Sequence, residues 1–245
     1  MNLNLKNASQ LCYFLCLWGM CMALRAQQPG PAGRQPDPRA MTSDPQAKKI
    51  ITASQQTVNA LASLQADFTY VLYDRNTKKN IKNLTGSLRM AKEKYRVELG
   101  EDNLFVCDGK NVWDYRKADK EVHLSSYRPE ESNSLTKFLK IYNKDMAAKY
   151  DGAEVLNGVA VEHITLFPSS NKTEYFKIEI FISKAQNIPI KVIIWNRSGS
   201  VVTYSLTNLK PNVAMAADVF TFNKAKYPGV DFIDMRDEGD IEGLE

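Results

Sequence analysis

The chain has 245 residues, 44% of them hydrophobic and 24% charged. Those fractions exclude a disordered or collagen-like polymer, and the length suits one large domain, since all-β domains run to ~200–250 residues. A formal charge of +4 is too weak to point to nucleic acid, and two histidines with four cysteines leave little from which to build a multi-ligand metal site.

Residues 1–26 hold Lys6 and Arg25 and no acid, with the apolar run Leu11–Leu24 between them. As a helix this run rises only ~21 Å, short of the ~30 Å hydrocarbon core of a bilayer. With the small Ala26 after it, the segment is expected to be a cleavable export signal, leaving Gln27 as the new start. A lipoprotein signal needs a small residue before the acylated cysteine. Cys12, Cys16 and Cys21 follow Leu11, Leu15 and Met20, so a soluble exported protein is expected. Cleavage leaves Cys107 as the last cysteine, which excludes an internal disulfide. Cys107 has no histidine beside it in sequence to activate a thiolate, so a buried strand residue is expected there.

Residues 27–43 contain Pro29, Pro31, Pro36 and Pro38 with Gly30 and Gly33. This composition predicts a disordered leader ahead of a single domain over 44–245. Ser43 is placed to cap a helix, Pro45 suits its first turn, and Ile50, Ala53, Thr57, Leu61 and Leu64 form one apolar stripe ending near Ser63. The period then changes to two. Phe68, Tyr70 and Leu72 alternate with Thr69, Val71 and Tyr73, and strands are predicted at 81–90, 95–99, 104–107, 111–115 and 122–126. Asp108-Gly109 signals a hairpin, and no helix fits between these strands, so an antiparallel meander is expected.

Residues 129–149 break the pattern. Pro129, Glu130 and Glu131 suit a helix start, and Leu135, Phe138, Leu139, Tyr142 and Met146 give a second amphipathic stripe. Strands resume at 152–156, 159–167, 174–183, 188–196 and 200–209, with an Asn157-Gly158 turn, and a last strand is predicted at 219–223. The acidic tail 231–245 holds seven acids against Arg236 alone, leaving a mildly basic body suited to anionic surfaces or simply to solvent.

The fold class is therefore α+β, mostly β. A sheet of about eleven strands cannot stay flat, because neighbouring strands twist by ~20–25°, so it curls into an unclosed antiparallel barrel with the helices covering its concave face. Ile188, Ile190, Val192 and Ile194 face one way while Ile193 and Trp195 face the other. Such two-sided strands line either a thick core or a greasy cavity, and periodicity leaves both open. His123 and His163 lack metal-ligand spacing, Asn143-Lys144-Asp145 has no glycine-rich phosphate loop to serve, and no Gly-x-Ser-x-Gly elbow occurs. No metal, no cofactor and no catalysis are expected.

Four stretches, in order, resemble the LolA family of periplasmic lipoprotein carriers. They are the first helix running into Ala66–Tyr73, then Thr85-Gly86-Ser87-Leu88-Arg89-Met90-Ala91-Lys92 with Tyr95-Arg96-Val97-Glu98. The third, and most specific, is Val106-Cys107-Asp108-Gly109-Lys110-Asn111-Val112-Trp113-Asp114-Tyr115. The fourth is Ala217-Asp218-Val219-Phe220-Thr221-Phe222 followed by Pro228-Gly229-Val230-Asp231-Phe232. The resemblance covers about residues 45–235. It implies an unclosed barrel whose helices act as a lid over a hydrophobic cavity for lipoprotein acyl chains. It also implies a periplasmic location, an inner-membrane lipoprotein-releasing transporter and an outer-membrane acceptor as partners, a monomer, and no nucleic acid.

On that resemblance the cavity would be lined by Leu88, Met90, Tyr95, Val97, Leu99, Ile178, Ile180, Ile182, Ile190, Val192, Ile194 and Tyr204. Leu61, Leu135, Phe138 and Met146 would come from the lid. Lys92 stands where the family commonly has an arginine that clasps the lid, with Glu93 where proline is usual, and lysine lacks the planar donor fork. A lipid- or lipoprotein-sensing regulatory module on the same fold is the alternative, and a hydrolase of envelope glycans or lipids is the third possibility.

Overall fold

The computed structural model describes residues 43–128 and 146–236. The export signal, the leader up to residue 42, the predicted lid helix over 129–145 with Leu135 and Phe138, and the tail beyond residue 236 lie outside the described residues. One helix, α1 (Pro45–Ala60), is followed by β1 (Leu64–Asp74), β2 (Lys79–Ala91), β3 (Lys94–Leu99), β4 (Asn103–Cys107), β5 (Asn111–Arg116) and β6 (Glu121–Ser126). Then come β7 (Met146–Leu156), β8 (Val159–Pro168), β9 (Tyr175–Ser183), β10 (Pro189–Asn196), β11 (Ser200–Pro211) and β12 (Asp231–Asp234). The twelve strands of the described residues form one open sheet in the order β12-β6-β5-β4-β3-β2-β1-β11-β10-β9-β8-β7.

The helix starts one residue later than predicted. Asp44, not Ser43, caps it, its Oδ1 accepting from Gln46 N at 2.7 Å and Ala47 N at 3.4 Å. Ser43 instead ties the helix entry to the sheet: its Oγ accepts from Ala148 N at 3.1 Å, and Asp44 N donates to Ala148 O at 2.8 Å. The buried stripe is Ala47, Ile51, Ser54 and Val58. It is rotated from the predicted one because Leu61 caps the helix in an extended conformation and Leu64 opens β1. The helix end is anchored by Asn212, whose Oδ1 accepts from Ala62 N at 2.9 Å, and by Ser63 Oγ donating to Val213 O at 2.6 Å.

Three further expectations are corrected. The helical reading of 146–149 fails: Met146, Ala147, Ala148 and Lys149 pair with Pro168, Phe167, Leu166 and Thr165 as the start of β7. These are good helix formers by propensity, and the free edge of β8 overrides that weak preference. The predicted strand 219–223 is a 3-10 turn, Ala217–Phe220, leading into a second, Lys224–Lys226. The last strand is β12, and it pairs with β6 in parallel, Phe232 opposite Val122, so the sheet is antiparallel everywhere except at this edge.

The side of the sheet under α1 is called the inner face here. Ala47, Ile51 and Val58 of the helix join one core with Leu64, Phe68, Leu88, Ile164, Ile180 and Val192 of the sheet. The opposite, outer face of β4–β6 carries a second core of Leu104, Val106 and Val122 covered by Phe222, with Trp113, Tyr115, Tyr227, Val230 and Phe232 packed on it. Residues 217–232 thus form a strap across that face. Phe222 stacks on Tyr227 at 4.8 Å and lies 6.3 Å from Trp113, while Tyr115 meets Tyr227 at 4.6 Å. Over β9 and β10 the outer face is covered by cations instead. Lys177 sits 4.2 Å above the Trp195 ring and Lys191 5.3 Å above Phe181, and Trp195 Nε1 donates to Glu179 at 2.6 Å. These contacts explain how strands can be apolar on both faces without a second layer.

Gly86 is fixed by close approach. A Cβ there would stand 2.2 Å from the Glu98 carbonyl oxygen and 2.4 Å from the Phe68 ring, so the ring and the β2–β3 ladder exclude any side chain. Gly86→Ala is expected to lose about 1–3 kcal/mol through overpacking, read as a lower urea midpoint at unchanged m-value. Phe222→Ala is expected to lose about 3 kcal/mol, since a large aromatic leaves a cavity that collapses only partly. The same variant should shift Trp113 emission to the red as the strap lifts. An unshifted spectrum would mean that Phe222 does not hold it.

Candidate functional site

Directly opposed residues in an antiparallel ladder share a face. One inner-face row runs Tyr150, Ile164, Ile180, Val192, Tyr204, Tyr70 and Leu84 across seven strands from β7 to β2. A second runs Ala148, Leu166, Ile178, Ile194, Val202 and Leu72. On the other side of β1, Ala66, Leu88, Val97 and Phe105 form one row, and Leu64, Met90, Tyr95, Cys107 and Val112 another. The product is a continuous apolar surface, covered in part by α1.

Most of the predicted cavity residues fall on this surface. Leu88, Met90, Tyr95, Val97, Ile178, Ile180, Ile182, Val192 and Tyr204 are buried, none more than 7% exposed. Leu99 and Ile194 are half-buried against the same core, as is Leu61 just beyond α1. Met146 is buried in the same cluster, from a strand rather than a helix. Ile190 departs from the row, because the pairing of β10 with β9 shifts between Pro189 and Lys191. It lines a cavity of about 440 Å³ with Leu156, Val159, Leu206 and Leu209. Lys92 lies outside the rows. It is exposed in the two-residue turn between β2 and β3, with a left-handed φ of 55°.

Beyond β4 the inner face turns polar. The Phe105 row continues through Asp114 and His123, and the Leu99 row through Asn103, Arg116 and Glu121. Arg116 donates to Asp114 Oδ2 from Nε at 3.1 Å and Nη2 at 2.8 Å, and His123 Nε2 lies 2.8 Å from Glu121 Oε2. Asp114 and His123 border a cavity of about 220 Å³ with Tyr95, Phe105, Val112 and Ser125. This polar end escaped the sequence reading. The signal was there in the phase of β5 and β6. Asp114 and Arg116 alternate with Trp113 and Tyr115, as Glu121 and His123 do with Val122 and Leu124, so the apolar side of these strands is the outer one.

The specific third stretch is the β4–β5 hairpin. Asp108 Oδ1 accepts from Lys110 N at 2.8 Å and Asn111 N at 2.7 Å, and Gly109 sits at φ 95°. Cys107, at its base, is fully buried; its Sγ donates to Glu93 O at 3.4 Å and accepts from Gly109 N at 3.3 Å. Burial pushes the thiol up to about 11, so at neutral pH it holds its proton and is a poor nucleophile. Among the described residues, no group of three His, Cys, Asp or Glu side chains is placed to hold a metal ion. Native protein at pH 8 should therefore resist iodoacetamide at Cys107 and react within minutes once unfolded in urea. Rapid alkylation of the native state would contradict the burial.

The family model described as outer membrane lipoprotein carrier protein LolA matches residues 40–223. An outer-membrane lipoprotein carrier protein of Legionella pneumophila is 22% identical over 185 residues, covering 73% of this chain and 87% of its own. The crystal structure of an uncharacterized conserved protein from Thermus thermophilus superposes with a TM-score of 0.52 at 15% identity, over 77% of this chain and 99% of that one. That likeness concerns the fold alone. The family match spans both the helix-and-sheet core and the start of the strap, and on it the chain belongs to the LolA family.

Proposed function

We propose that the protein is a non-catalytic periplasmic carrier that takes up the acyl chains of lipoproteins on its inner face and passes them toward the outer membrane. The observation that carries this reading is the apolar surface spanning β7 to β5. Family membership and the Legionella relative named as a carrier support the same reading.

The physics suits carriage rather than storage. Each buried methylene contributes ~0.8 kcal/mol, so partial burial of a chain offsets much of the cost of leaving a bilayer. A surface built from Ile, Val, Leu and Tyr side chains grips by area alone, without a fixed polar lock, and so can release to an acceptor that offers slightly more apolar area. Loading by an inner-membrane lipoprotein-releasing transporter, delivery to an outer-membrane acceptor, and action as a monomer belong to this proposal.

Purified protein incubated with membranes carrying a triacylated passenger should bring that passenger into the soluble fraction, and leave its non-acylated variant where it was. Equal behaviour of the two passengers would overturn the carrier reading. Substitution of Cys107, His123 or His163 by alanine should leave extraction standing in each case; its complete loss in a folded variant would return the question to catalysis.

A further inference from the structure

We propose that the rim of the sheet at the β1–β2 turn is a docking surface for an anionic phospholipid bilayer, with the cations of residues 75–82 on the lipid phosphates and Ile81 in the interface between them. Docking of this kind goes beyond the carrier reading above and does not depend on it, since it needs no cargo.

Charge is the first observation. From Arg75 to Lys92 the chain carries no acid. Arg75, Lys78, Lys79 and Lys82 crowd into this turn, all of them exposed. Two further connections reach the same rim. Arg75 Nε donates to Gly199 O at 3.3 Å, Asn76 Nδ2 to Ser198 O at 3.1 Å, and Arg197 Nε to Thr173 O at 3.1 Å. These connections bring the exposed Lys172 and Arg197, and with them the acid Glu174. The other acid of the rim, Asp74, is taken up within the turn, accepting from Asn76 N at 2.8 Å and Thr77 Oγ1 at 2.9 Å. Cations thus outnumber acids clearly at this rim. The acids of the neighbouring turns, Glu101, Asp102, Asp119, Glu121 and Asp231, lie further back. They are level with Thr85, through bonds from Gly100 N to Thr85 O, Lys117 N to Asp102 O and Asp231 N to Lys120 O. From Thr85 β2 runs on for ~20 Å to Lys79, beyond the ~8 Å over which salt screens exposed charges.

The isoleucine is the second observation. Leu72 pairs with Lys82 and Tyr73 with Asn80, which leaves Ile81 as the extra residue of a bulge, 52% exposed. Lysines along an unpaired strand edge also deter other chains, but an exposed isoleucine among them works against that role. It suits a bilayer interface, where an apolar side chain enters between headgroups. Lysine is depleted from protein–protein interfaces, and its compact charge on a flexible stem asks for no fixed partner geometry. A fluid array of phosphates therefore fits this rim better than an acidic protein does. Its position is also apt: the second inner-face row, through Val202 and Leu72, ends on Lys82.

Co-sedimentation of the purified protein with vesicles tests the proposal. Vesicles of phosphatidylcholine with about one-third phosphatidylglycerol should bind at least about tenfold more tightly than phosphatidylcholine alone, and added salt should weaken the difference. Each cation near an anionic bilayer raises binding about fivefold. Joint substitution of Lys78→Gln, Lys79→Gln and Lys82→Gln should therefore weaken it about a hundredfold. Joint substitution of Lys110→Gln, Lys210→Gln and Lys226→Gln removes the same charge elsewhere on the exposed surface and should cost less than about fivefold. Ile81→Ser should cost about fivefold. All these side chains are exposed, so the variants should keep the circular dichroism of the wild type. Equal binding to the two vesicles, a loss in the rim variant no larger than in the control, or unchanged binding of Ile81→Ser would overturn the proposal. Absence of vesicle binding alongside capture of an acidic protein would do so too. Vesicle binding is read without any lipoprotein, so its failure while passenger extraction succeeds leaves the carrier reading standing.

Discussion

The seam between β1 and β11 holds the molecule together. These strands lie more than a hundred residues apart in sequence, yet Phe68 pairs with Leu206 and Tyr70 with Tyr204, the tyrosine rings 5.3 Å apart. On one side of the seam β2 to β6 follow as hairpins; on the other, β10 back to β7 do the same. Remove the seam and two separate meanders remain, each with a bare apolar face and a long exposed edge. The inner surface exists only because both halves keep one register across it. A slip of one residue there would turn Val192 and Ile180 to the face opposite Tyr70. Closing so distant a pair is slow in folding, since the loop entropy is lost before the contact forms.

The two faces divide the work. The outer face and the turns carry the closely fitted contacts: Asp108 and Gly109 close a hairpin, and Trp113, Tyr115, Phe222 and Phe232 fasten the strap that carries the chain from β11 to the far edge. Gly86 is kept bare by the Phe68 ring. These are geometric jobs that few residues can do. The inner face needs only to be apolar and of suitable shape, and Ile, Val, Leu, Met and Tyr serve there almost interchangeably. The binding surface is inferred from where that scaffold puts it.

This division governs what was legible in the sequence. Alternation in 68–73 placed the first strand, because a half-buried strand declares its period over a few residues. Turn chemistry at Asn157-Gly158, both at positive φ, was equally plain. Helix ends were less so, since Ser43 and Asp44 are both good caps and tertiary bonds to Ala148 decided between them. The segment 146–149 and the strap misled for a common reason: Met-Ala-Ala-Lys and Val-Phe-Thr-Phe carry local preferences that a free sheet edge and an aromatic pocket overrule. Ile190 shows the limit of counting by twos, as one shift beside Pro189 moves it from the row into a cavity.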